Sequence, residues 1–165
     1  HRKMKTFVLA SMLAVTCSHA HALSCLRPDP VTTFQQLAAE PESYFVLYGT
    51  LTFDESALPQ GTNSFEDVAP PDPIPARFAG KGLSKAGFAT PYVSHAMLQV
   101  TCAGPWCGSA RSGAEAIYFV PASDPPVTMQ AGACGGMIFE DPTSGVLDML
   151  TSCMQGGACT PLPFE

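Results

Sequence analysis

The sequence predicts a mainly β domain with flanking helices, built as a small five-stranded antiparallel barrel stapled by disulfides. Three observations lead there. Five short segments carry the aromatic, β-branched or alternating pattern of strands. No helical segment separates them in βαβ fashion, which argues against a doubly wound parallel sheet. Six cysteines, an even set, follow an N-terminal stretch with the features of an export signal.

That stretch comes first in the chain. Arg2, Lys3 and Lys5 surround Met4, Phe7 to Val15 is apolar, and Ala20-His21-Ala22 places small residues where signal peptidase needs them. The apolar run is far shorter than the roughly twenty residues a spanning helix needs. Residues 1–22 are therefore assigned to a signal peptide, with His1 to Lys3 as upstream residues before Met4, and 23–165 to one secreted or periplasmic domain starting at Leu23. A cut before Cys25 is the alternative. Ala22-Leu23-Ser24-Cys25 matches a lipoprotein box only loosely, with Ala where Leu is usual, which argues against a lipid anchor at Cys25.

Cleavage after Ala22 leaves five cations, Arg27, Arg77, Lys81, Lys85 and Arg111, against all fourteen acids of the chain. Such a balance repels phosphate backbones and excludes nucleic-acid binding through a positive groove. No later apolar run is long enough to span a membrane, so no transmembrane segment is expected.

Asp29-Pro30 reads as an N-cap followed by Pro at the first helical position, opening a short helix through Phe34, Leu37 and Ala38 that stops at Pro41. Tyr44 to Phe53, YFVLYGTLTF, is the first strand, and Gly49 in its middle predicts a bulge or sharp bend. Leu58 to Pro75 is polar, proline-rich and acidic, an exposed loop. Ile74 to Leu83 follows as a strand with Ile74, Ala76 and Phe78 on one face. Val93 to Cys102 alternates Ala96, Leu98, Val100 and Cys102 against Met97, Gln99 and Thr101. Glu115 to Val120 is the fourth strand, and Val127 to Ala133, leading into CGGMIFE, the fifth. The last helix is expected to open at Asp141-Pro142 and to run through Val146, Leu147, Leu150 and Met154 to Gly156-Gly157.

Cys17 leaves with the signal peptide, so Cys25, Cys102, Cys107, Cys134, Cys153 and Cys159 remain. Six cysteines allow fifteen pairings. Cys102/Cys107 and Cys153/Cys159 each close a small loop containing Gly, which leaves Cys25 for Cys134. The stretch TCAGPWCGSA could instead be a redox site or half of a metal site. Redox motifs of the thioredoxin kind have two intervening residues and a helix N-terminus that lowers the thiol pKa, whereas four residues including Gly104 and Pro105 intervene here. Zinc would need further ligands, and His95 is the only histidine after Leu23. The stretch is therefore read as a staple, with an exported thiol-disulfide oxidoreductase using Cys102/Cys107 as the alternative.

The order of features is similar to the netrin-like domains of the tissue inhibitor of metalloproteinases superfamily. The likeness runs from Cys25 through a short helix, a strand holding Tyr48-Gly49-Thr50-Leu51, Cys107-Gly108 and the segment Gly113 to Val120, to Cys134. The resemblance implies an OB-type barrel and a binding or inhibitory module. It also favours another linkage, Cys25 to Cys107 with Cys102 to Cys134. Inhibitors of that superfamily chelate the target's zinc through an N-terminal Cys; Leu23-Ser24 would precede Cys25 here, and the Cys-x-Cys start is absent, so zinc chelation is not expected.

Nothing else predicts catalysis. A Ser/His/Asp triad would have to use His95, whose neighbours read as strand, and no Gly-x-Ser-x-Gly elbow accompanies it. The acid pairs Asp54/Glu55, Glu66/Asp67 and Glu140/Asp141 lack calcium-loop spacing and read as solvated surface. Tyr92 and Trp106 are the candidates for a ligand surface. The expected function is a non-catalytic module that binds a protein or small ligand, with no cofactor and no metal.

Overall fold

A computed structural model describes residues 24–64 and 69–163. The predicted signal peptide and its cleavage site, and the acid pair Glu66/Asp67, lie outside the described residues. Helix α1 spans Pro30–Ala38, and Asp29 caps it by accepting a 2.9 Å bond from the Thr32 amide. Strands β1 (Tyr44–Phe53), β2 (Ile74–Ser84) and β3 (Gly87–Val100) form a meander. A separate hairpin, β4 (Cys102–Ala103) and β5 (Trp106–Cys107), interrupts the sheet before β6 (Glu115–Pro121), β7 (Val127–Ala131) and β8 (Ile138–Glu140). Helix α2, Ser144–Met154, follows.

The main sheet has the order β7-β3-β2-β1-β6-β8 and curls into a half-barrel. The expectation of five antiparallel strands is corrected on two points. First, β7 pairs with β3 in parallel, Ala96 opposite Val127 through Val100 opposite Ala131. The reason is directional: β1 and β3 run together, β6 runs against β1, and a short turn sends β7 back against β6. When the curl carries β7 across to β3, the two necessarily point the same way. Second, the segment expected as one strand through CGGMIFE is two. Gly135 and Gly136 take positive φ of 71° and 102°, conformations that break a strand, and Cys134 beside them is bonded to Cys25. The chain then resumes as β8 on the edge of β6.

Other boundaries shift for local reasons. β3 begins six residues before Val93, at Gly87, because its pairing with β2 continues past Pro91, which stands opposite Lys81, to Gly87 opposite Ser84. β3 ends at Val100, so Cys102 is exposed rather than an inward strand residue. α2 opens at Thr143, not at Asp141-Pro142. Asp141 takes φ 49° and gives its amide to the Glu115 carbonyl at 2.9 Å, which keeps it with the sheet.

The apolar residues fall into two cores. Inside the curl, Leu47, Leu51, Phe78, Leu98, Tyr118 and Met129 pack with almost no exposure. Outside it, Val46, Ile117 and Phe119 meet Val31 of α1 and Leu150 and Cys153 of α2. β6 is thus covered on both faces, which explains why EAIYFV is a continuous apolar run rather than an alternation. Each fully buried large side chain here contributes roughly 1.5–3 kcal/mol. Thr33 is tied into this layer by its hydroxyl, which donates to the Gly136 carbonyl at 2.9 Å. Disulfides join Cys25 to Cys134, Cys102 to Cys107 and Cys153 to Cys159. No helix among the described residues is long and apolar enough to cross a membrane.

Candidate binding surfaces

Cys102 and Cys107 stand directly opposite each other in the two-stranded hairpin, with Ala103 opposite Trp106 and Gly104-Pro105 at the tip. Both cysteines are strand residues, and neither sits in the first turn of a helix among the described residues, the position that lowers the pKa of a redox thiol. The hairpin is held at both ends. The Thr62 amide donates to the Gly104 carbonyl, and the Gly108 amide to the Thr101 carbonyl, each at 2.9 Å. On this braced element Trp106 is 41% exposed, although aromatic side chains of its size are usually more covered.

Tyr92 does not share that surface. Its ring lies 5.7 Å from Phe45 and 6.0 Å from Phe78, against the inner core. Tyr92 sits in the first half of β3 and Trp106 beyond its end, with roughly 25 Å of strand between Tyr92 and Val100. His95 is exposed on the outer face, opposite Arg77 of β2. Ser94 points into the sheet instead, and its hydroxyl donates to the His95 carbonyl, so the two side chains are not brought together.

The acid pairs within the described residues lie at the surface, Asp54, Glu55 and Asp141 exposed and Glu140 half-buried, and also accept hydrogen bonds from neighbouring segments. Asp54 accepts from the amide and hydroxyl of Ser56, at 3.0 and 2.7 Å, and these bonds hold its carboxyl below the usual carboxylate range. Glu55 accepts from the Ser112 amide at 2.7 Å, and the Ser112 hydroxyl accepts from the Phe53 amide at 3.0 Å. Glu140 accepts from the Arg111 Nε at 2.8 Å and from its amide at 2.9 Å, while Asp141 accepts from Nη2 of the same guanidinium. Together these bonds stitch the segment following the hairpin to the ends of β1 and β8. Among the described residues no three of His, Cys, Asp and Glu gather as metal ligands.

A further cleft, which the sequence analysis missed, opens between the helices. It holds about 340 Å³. Phe34 and Leu37 of α1, Val46 of β1, Phe119 of β6 and Met154 of α2 give it apolar walls, Glu40 and Glu42 stand in the link from α1 to β1, and Tyr44 opens β1. The Tyr44 hydroxyl donates to Glu42 at 3.3 Å. Burial, and then the charge of Glu42, raise the Tyr44 pKa above its ordinary value. The sequence signal was limited to the Phe34/Leu37 spacing and two acids around Pro41; the remaining walls come from segments distant in the chain.

No family model, no curated protein and no solved structure matches this chain.

Proposed function

We propose that this protein is an exported, non-catalytic binding module of OB type that docks a protein or small ligand through the Cys102–Cys107 hairpin. The observation that carries the reading is Trp106, a large aromatic left 41% exposed on an element held by a disulfide and by backbone bonds at both ends. Rigid aromatic anchors of this kind bind at low entropic cost, because little is left to order on association. Export is supported by three disulfides, which persist in oxidising compartments, and by the leader-like N-terminus of the sequence.

The OB-type reading is supported by the strand order β7-β3-β2-β1-β6 with its parallel β3–β7 pair, a ring that needs only a β6–β7 ladder to close. A netrin-like relationship is the corresponding superfamily proposal. The alternative, a thiol-disulfide oxidoreductase, draws on the exposure of Cys102. Against it stands the hairpin setting: both cysteines are paired strand residues, and neither opens a helix, the position that activates such thiols.

Reductant titration of the native protein separates the two. A staple keeps Cys102–Cys107 closed until the fold is lost, whereas an enzyme opens that pair first and then reduces insulin disulfides catalytically. In parallel, proteins captured from the exported fraction by the native chain should be lost with Trp106→Ala. Native-state opening with turnover, or capture indifferent to Trp106, would overturn the reading.

A further inference from the structure

We propose that the cleft between the two helix ends is a binding site for a small organic cation with an apolar body. Three features of different origin converge on it. The first is shape: its volume of about 340 Å³ falls within the roughly 300–1,000 Å³ range of small-molecule sites. The second is the wall, where Phe34, Leu37, Val46, Phe119 and Met154 offer apolar surface to the body of a ligand.

The third is charge. Glu40 and Glu42 are both exposed carboxylates on the lining, and no lining residue is cationic. Ala38 and Met154, the last residues of α1 and α2, also line the cleft, so the negative ends of two helix dipoles meet there. Neither helix places a basic residue in its last turn to offset that charge; only the cap amides of Ala39 and Glu40 in α1, and of Gln155, Gly156 and Gly157 in α2, bond last-turn carbonyls. Lys85 approaches α2 from outside, its carbonyl accepting from the Gln155 side chain at 2.8 Å, but it does not line the cleft. The Tyr44 ring adds an aromatic face to the lining, a favourable neighbour for an ammonium group.

The chemistry complementary to this site is a protonated amine or quaternary ammonium on an aromatic or branched aliphatic body. An anion of the same shape meets four negative contributions and is rejected. The site shares no residue with the Trp106 hairpin, so it goes beyond the function proposed above and can fail without it.

Three probes of one shape test it: phenethylammonium, 2-phenylethanol and 3-phenylpropanoate, titrated against protein carrying labelled Met and Val methyls. The amine should shift Met154 and Val46 and bind about five-fold more tightly than the alcohol, the propanoate most weakly, with the preference shrinking as salt is added. Glu40→Gln with Glu42→Gln should bring the amine down to the affinity of the alcohol while the melting temperature holds, since both residues are exposed. Val46→Thr keeps the carboxylates and should weaken amine and alcohol together. Equal binding of all three probes would overturn the proposal. So would shifts confined to other methyls, an amine affinity indifferent to the double substitution, or a Lys-Phe-Lys peptide that displaces the amine and binds more tightly, which would mark the cleft as a peptide site.

Discussion

Gly49 and Gly80 face each other across the β1–β2 ladder so closely that a Cβ built on either would lie within 2.7 Å of the other's Cα. The ladder passes through Gly49 without a slip, and the one irregularity in the meander falls at Gly82/Leu83 instead. Gly49 therefore marks a close approach of two strands where the sheet curls. Gly49→Ala or Gly80→Ala should destabilise the fold by about 1–3 kcal/mol, as overpacking does. At Gly82 the nearest atoms to a new Cβ are 3.7 Å away, so Gly82→Ala should cost well under that. Thermal melts of the three variants decide it; equal losses would remove the close approach as the cause.

Cys25–Cys134 spans 109 residues and Cys153–Cys159 only 6. Loop entropy assigns about 4–5 kcal/mol to the long closure and about 2 to the short one. Cys25→Ala with Cys134→Ala should therefore lower the melting temperature more than Cys153→Ala with Cys159→Ala. Denaturant titration gives the same comparison at one temperature.

Tyr118 is almost wholly buried in the inner core, its ring 5.6 Å from Phe78, and its pKa is pushed up to about 12 by burial first and by the charge of Glu140 second. In the unfolded chain the phenol ionises near pH 10. Between about pH 10 and 12 the unfolded state releases a proton that the folded state keeps, so stability is present below that window and falls as pH rises through it. The loss should be on the order of 2–3 kcal/mol. Tyr118→Phe, which retains the ring, should flatten this alkaline limb in melts run from pH 9 to 12.

Glu140 and Asp141 are occupied by Arg111, whose side chain is 58% exposed. Exposed pairs of this kind contribute about 0–1 kcal/mol. Arg111→Ala should change stability by no more than that, and millimolar calcium should leave the melting temperature in place. A rise of several degrees with calcium would mean that these carboxylates prefer the metal to the guanidinium.

How much of this was legible depended on how local the cause was. Asp29-Pro30 announced α1 because cap and first turn are set by neighbours, and YFVLYGTLTF announced β1 because its residues suit a pleated surface whatever the partner. Asp141-Pro142 looked identical, yet the bond from the Asp141 amide to Glu115, twenty-six positions away, moved the helix start. The parallel β3–β7 pair was invisible for the same reason, since it follows from the curl of the whole sheet. Among candidate site residues, Trp106 sits exposed on the Cys102–Cys107 hairpin, whereas Tyr92 packs half-buried against the core beside Phe45 and Phe78, contacts that come from other strands. The cleft between the helices left almost no trace, because α1, β1, β6 and α2 each supply only part of it.

The Cys102–Cys107 bond lies inside the long loop that Cys25–Cys134 closes. During synthesis the chain appears from its N-terminus, so Cys25 waits while Cys102 and Cys107 emerge before its partner does. A chain oxidised strictly in order of appearance would trap Cys25 on Cys102. The native linkage therefore requires either that the five-residue separation of Cys102 and Cys107 lets them pair with each other first, or that a disulfide isomerase rescues the misjoined chain. Yield of correctly joined protein should thus depend on isomerase most when Cys107 is slowest to find Cys102, and early closure of the small hairpin would spare the N-terminal cysteine that dependence.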